Sequence, residues 1–138
     1  MKTLLIAGSF FITMLIIASC QSEQQVDYNR YYSAGAAVYQ SRCQNCHGDK
    51  GEGLAALIPP LTDTVFLKAN RHQIACYLEN GLKGKITIHN KEFNGIMPST
   101  GLSPIEIAQV LTYVTNSFGN KAGLINSDEV EKDLKGCE

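Results

Sequence analysis

Cys43, Cys46 and His47 form a C-x-x-C-H run, and no other short stretch restricts the fold of this chain as severely. Two thiols three residues apart can both reach the vinyl groups on one edge of a single macrocycle. The histidine that follows can turn its ring beneath the central iron. A longer gap breaks that geometry, so the run points to covalently attached haem c, one per chain. Two competing readings make further demands: a redox dithiol wants a βαβ context, and a zinc site wants a second ligand pair. The chain offers neither, having no second C-x-x-C and no H-x-x-x-H.

The first twenty residues bear on where this chemistry takes place. Lys2 supplies a positive start, Leu4 to Ile17 form an apolar run, and Ile17-Ala18-Ser19-Cys20 follows. The run is too short and wrongly flanked for a stable span, so residues 1–19 read as an export signal. The I-A-S-C sequence resembles the lipobox of bacterial lipoproteins, which implies cleavage before Cys20 and lipidation of that cysteine. The alternative is an ordinary signal with Cys20 as a bystander. The expected location is the periplasmic side of a bacterial membrane, with the lipid as anchor, since each buried methylene contributes about 0.8 kcal/mol. Residues 20–29 are polar and read as a flexible tether, averaging roughly 15 to 18 Å end to end.

Cysteine arithmetic agrees with export. Of five cysteines, one is assigned to lipid and two to haem, which leaves Cys76 and Cys137. Outside the cytoplasm such a pair tends to oxidise, so a disulfide is one outcome and two free thiols the other. Without residues 1–19 the balance is 11 basic against 13 acidic residues, or −2, too mild to argue for nucleic acid or an acidic ligand. The remaining length suits one domain with a small core, spanning residues 30–120, followed by a tail at 121–138.

Periodicity predicts mostly helix. A first helix is expected from about Arg30 to Arg42, with Gly35 and Tyr39 on one face. A glycine inside a helix costs about 0.5 to 1 kcal/mol relative to alanine, which a close helix crossing explains. The expected partner starts at Ser103, where Ser103, Pro104 and Glu106 combine an N-cap, a first-turn proline and an S-x-x-E box. Ile107, Val110, Leu111 and Val114 continue it towards Gly119, with Tyr113 placed to meet Gly35. A middle helix is expected over Arg71 to Glu79, a short hairpin or loop around His89-Asn90-Lys91, and a weakly patterned tail helix from about Asp128 to Lys135.

The second axial ligand is the next question. Met1 and Met14 fall in the signal, so Met97 would be the sole methionine of the mature protein. It sits in Gly95-Ile96-Met97-Pro98, a punctuated loop before the last core helix, where a thioether can be held against iron. Met97 as a flexible core filler is the plainer reading. His72 and His89 are the rival ligands, each more simply a surface residue and neither with an obvious acidic partner in the sequence.

In these residues the chain resembles the class I monohaem cytochromes c over about residues 30–119. The resemblance implies an all-α cytochrome c fold, a few helices wrapped around one haem with long loops. It implies thioether bonds at Cys43 and Cys46, His47 as proximal and Met97 as distal metal ligand. It further implies that the Pro59 carbonyl accepts the His47 ring N–H and that Leu61 packs on the haem. Gly48, Gly51 and Gly53 match the family's glycine-rich turn. The stretch from Asn80-Gly81 through Met97-Pro98 to Tyr113 and Asn120 is similar to cytochrome domains that accompany dehydrogenases and copper nitrite reductases. Phe118 stands where those domains usually carry tryptophan, and Cys76 and Cys137 lie outside the general pattern.

Two strong protein ligands leave iron no open position, so the expectation is an electron carrier and not an enzyme. It would work between respiratory membrane complexes and a terminal oxidase or reductase, meeting partner proteins through an exposed haem edge. Membrane attachment would run through lipidated Cys20, with no nucleic acid and no small-molecule substrate. The alternatives are a haem enzyme or gas sensor with a labile Met97, or a fixed cytochrome subunit of a dehydrogenase or reductase complex.

Overall fold

The computed structural model describes residues 23–137; the expected export signal and Cys20 lie outside the described residues. In chain order the elements are α1 (Glu23–Arg42), α2 (Gln44–His47), α3 (Thr64–Ala69), α4 (Arg71–Asn80), β1 (Ile86–Ile88), β2 (Lys91–Phe93), α5 (Pro104–Val114) and α6 (Ser127–Leu134). Among the described residues, no helix is long and apolar enough to cross a membrane.

The fold is organised by α1 crossing α5. Tyr31, Gly35 and Tyr39 recur every four residues on the buried face of α1. Helix α5 presents Ile107, Ala108, Val110, Leu111 and Val114, all buried. At the crossing a Cβ on Gly35 would stand 1.9 Å from Gln109 O and 2.9 Å from the Tyr113 Cβ, so hydrogen alone fits there. Tyr113 then stacks obliquely on Tyr32 and Tyr39, with ring centroids 5.1 and 5.4 Å away.

Helix α1 begins seven residues before the expected start, so residues 23–29 are not a flexible tether. The cause is local: Glu23 favours the positive end of the helix dipole. Gln25 donates to Asn29 at 3.0 Å, Arg30 pairs with Asp27 at 2.9 Å, and Tyr28 stacks on Tyr32 at 5.8 Å. Helix α5 starts as read, with the Glu106 carboxylate accepting from both the backbone N–H and the hydroxyl of Ser103. It stops at Val114, short of Gly119. Thr115 Oγ1 bonds back to Leu111 O at 2.7 Å, and Asn116 Nδ2 takes Thr112 O at 2.8 Å, the carbonyl that a further helical N–H would use, while Asn116 N turns to Tyr113 O.

Helix α3 has no counterpart in the sequence reading. Its start is set by Asp63, whose Oδ1 accepts from the N–H groups of Val65 (2.9 Å) and Phe66 (3.1 Å). The hairpin pairs Ile86 with Phe93, Thr87 with Glu92 and Ile88 with Lys91. Its turn residues His89 and Asn90 take φ of 49° and 58°, the left-handed pair that a tight two-residue hairpin requires. The tail helix α6 is capped by Asn126, which accepts from Glu129 N at 2.9 Å, and buries Val130 completely. Cys76 and Cys137 form a disulfide with Cα atoms 5.5 Å apart.

Because the α1–α5 contact leaves no room for a methyl group, Gly35→Ala is expected to lower unfolding stability by about 3 kcal/mol. Denaturant titration of the variant checks this, and a loss below about 0.5 kcal/mol, typical of a neutral surface change, would contradict it.

Candidate functional site

The end of α1 runs into the C-x-x-C-H turn without a break, since Cys43 N bonds Tyr39 O and His47 N bonds Cys43 O, each at 2.9 Å. The Tyr39 hydroxyl donates to Gly48 O at 2.6 Å and so ties the far side of the turn to α1. Cys43 is buried and Cys46 exposed, and neither is in a disulfide. Burial, with a smaller contribution from the neighbouring Cys46 thiol, pushes the Cys43 thiol up to about 11.

From Gly48 the chain doubles back beneath His47. Gly53 N donates to His47 O at 2.8 Å and Leu61 N to Gly51 O at 2.7 Å. This return brings Pro59 O to 3.1 Å from His47 Nδ1. A carbonyl can only accept, so Nδ1 carries the proton and Nε2 is left with a free lone pair. Burial lowers the pKa of this ring and so favours the neutral form that can ligate, while the bond to Pro59 opposes the shift.

Met97 lines the same space as His47. Its backbone pairs with Leu82 in both directions, at 2.8 and 2.9 Å. Gly81 at φ 77° makes this seat narrow, for a Cβ there would fall 2.5 Å from Met97 O. That space is a cavity of about 300 Å³ that Cys43, Cys46, His47, Pro59, Leu61 and Met97 all line. Its remaining wall is largely apolar, including Leu78 of α4, Ile88 of β1 and Val110 of α5. A smaller space of about 100 Å³ adjoins it, shares His47 and Met97, and opens past Leu57 and Ile96. Two cysteines at one edge, a neutral imidazole, a thioether and apolar walls fit a covalently held haem.

The rival histidines stand elsewhere. His72 and His89 do not line either space, and their side chains are 74% and 70% exposed. Both have acidic neighbours, contrary to the sequence expectation: His72 Nδ1 lies 2.9 Å from Asp133 Oδ1, and His89 Nε2 lies 3.6 Å from Asp63 Oδ2. Each pair joins residues far apart in the chain, which no local pattern discloses.

Asn120 is a supporting residue that the sequence reading did not single out. Its Nδ2 donates to Leu61 O (2.9 Å) and Val114 O (3.1 Å), and its Oδ1 accepts from Thr64 Oγ1 (2.8 Å). One buried amide thereby joins the loop carrying Leu61, the start of α3 and the end of α5. An asparagine just past a helix reads as ordinary turn chemistry, and nothing local separates the two roles.

Residues 32–117 match the protein-family model described as Cytochrome c. Cytochrome c-552 of Thermus thermophilus is 31% identical over 91 residues, covering 62% of this chain and 69% of that protein. The cytochrome c subunit of the quinone alcohol dehydrogenase of Gluconacetobacter polyoxogenes is 32% identical over 103 residues, 71% of this chain but 22% of that subunit. The dehydrogenase subunit of the corresponding enzyme of Acetobacter aceti is 35% identical over 94 residues, 68% of this chain and 11% of that subunit.

Asn120→Ala should leave two carbonyls without their amide donor. Stability is expected to fall by about 2 kcal/mol in a denaturant titration, the penalty for stranding buried polar groups. A change within about 0.5 kcal/mol, as at an ordinary surface site, would show that the amide is not a structural tie.

Proposed function

The chain belongs to the cytochrome c family, and from that membership we propose that it is a His47/Met97-ligated electron carrier. In this reading it is lipid-anchored through Cys20 on the periplasmic side and passes electrons between respiratory membrane complexes and a terminal oxidase or reductase. The family's prosthetic group is covalently bound haem c, which supplies a one-electron ferrous/ferric couple when bound.

The observation that carries the proposal is that His47 and Met97 line one apolar cavity together with both attachment thiols. Cys43 and Cys46 would hold the group by thioether bonds. The Nδ1–H bond to Pro59 fixes the imidazole plane and leaves Nε2 as the nitrogen that would hold iron. Met97, carried on a backbone paired with Leu82, would supply its sulfur as the second ligand, and thioether ligation raises the potential relative to a second imidazole. If His47 and Met97 both held the iron, no residue here would need to act as acid, base or nucleophile. The mouth near exposed Cys46 is bordered by Leu57 and Ile96, which are 67% and 74% exposed. Such an apolar rim suits brief contact with a redox partner over a small interface.

A second reading is favoured by the names of the dehydrogenase relatives: a fixed cytochrome subunit of a larger complex. Isolation as a monomer separates the free carrier from the subunit. A third reading, a haem enzyme or gas sensor, requires Met97 to leave the iron easily.

Met97→Ala is expected to abolish the weak far-red band that a methionine–iron bond gives the oxidised protein. It should also lower the potential and allow carbon monoxide to bind the reduced form. An unchanged spectrum would assign the ligand elsewhere, and ready gas binding by the unmodified protein would favour the sensor. Cys20→Ser is expected to move the protein from the membrane to the soluble fraction on cell fractionation; if it still sediments with membranes, the lipid anchor is wrong.

A further inference from the structure

The tail after residue 117 lies beyond the match to the family, yet it is fastened tightly. Ile125 is 2% exposed and Val130 fully buried. Three of its ties end on α4. Arg71 Nε and Nη2 both donate to Glu129 Oε1, at 3.0 and 2.7 Å. One position on, His72 meets Asp133 at 2.9 Å, and Cys76 is bonded to Cys137.

The other end of α4 holds the Met97 loop. Leu78 O accepts from both Thr100 N (3.0 Å) and Thr100 Oγ1 (2.9 Å), and Glu79 O accepts from the Ser99 hydroxyl. Leu82, two residues past the helix, makes the paired bonds to Met97. The loop has little other cover, since Ile96, Pro98 and Ser99 are exposed. Exposed loops with few buried contacts are where local opening is cheapest. What resists opening here is α4, a rod about 15 Å long, held by the tail along one side and gripping the loop at its end.

We infer that the C-terminal tail is a strap that positions Met97, acting through α4, with Cys76 and Cys137 as its covalent fastening. Strap, helix and loop form one continuous load path. Loosening the strap frees the C-terminal end of α4 to shift, and the Leu82–Met97 pairing yields before the core does. The inference rests on the reading of Met97 as the distal ligand. Cys76, Cys137, Ser99 and Thr100 are positioning residues, because each acts on the iron only through the loop.

The test compares three haem-loaded proteins: unmodified, Cys76→Ser with Cys137→Ser, and Ser99→Ala with Thr100→Val. Two readouts follow the loop: the rate at which imidazole binds the oxidised protein, which requires the methionine to leave, and hydrogen exchange at the Met97 and Leu82 amides. Both variants are expected to bind imidazole about tenfold faster, equivalent to ~1.4 kcal/mol off the opening barrier. Exchange at the two loop amides should accelerate in step, while the Val110 and Leu111 amides of α5 keep their protection. All four changes together should give little more than either pair, because they cut one path twice. If the serine variant merely melts at a lower temperature, with imidazole binding and loop exchange unchanged, the strap stabilises the fold without positioning Met97 and the inference fails. Should that variant not accumulate, His72→Gln with Glu129→Gln loosens the same strap with the disulfide intact and is judged by the same readouts. Absence of the far-red methionine band from the unmodified protein overturns the ligand assignment and this inference together; its presence with unchanged rates overturns this inference alone.

Discussion

Everything in the molecule is referred to the point where α1 lies against α5 at Gly35. Backbone meets backbone there because the position has no side chain, and the aromatic rings of Tyr32, Tyr39 and Tyr113 close around the contact. Helix α1 passes into the attachment turn with its hydrogen bonds unbroken, so the angle at the crossing fixes where both thiols and His47 lie. Helix α5 lines the same cavity with Val110, Leu111 and Val114. One steric vacancy therefore aligns the attachment turn with the apolar wall opposite it.

His47 and Met97 both stand on loops or turns, and each is governed by main-chain hydrogen bonds. His47 is oriented by a carbonyl that reaches it because residues 48–61 fold back on Gly51 and Gly53, and Met97 is seated by its pairing with Leu82. Backbone bonds of this kind do not depend on side-chain identity. They fix the course of the main chain at both side chains, which is how a small domain with long connections can still hold a site rigid.

What could be read from the chain beforehand was what is encoded over a few residues. The attachment turn, the Ser103-Pro104-Glu106 start of α5 and the isolated helical Gly35 each carry their physical reason within one or two turns of helix. The hairpin at His89-Asn90 belongs to the same class. Less legible was whatever depends on distant partners. The acidic neighbours of His72 and His89 come from other segments, and Asn120 matters because three segments converge on it. The early start of α1 was missed for another reason. Its glutamines suit a solvated coil and a helix equally, and the choice falls to side-chain pairs four residues apart and a tyrosine stack. Helix α3 is only six residues long, too short for a period to register, and Asp63 was its sole local marker.

Thr112 sits with no exposed surface in the middle of α5, among valine and leucine, and exchanges hydrogen bonds with Ile125 in both directions, at 2.9 and 3.0 Å. A hydroxyl so deeply enclosed loses about 1 to 3 kcal/mol if its partner moves away. The segment that meets it can consequently dock in one register: a slip by a single residue would present the wrong main-chain groups and strand the hydroxyl. An otherwise greasy surface thereby carries a polar key, and the stretch around Ile125 is the lock cut to fit it.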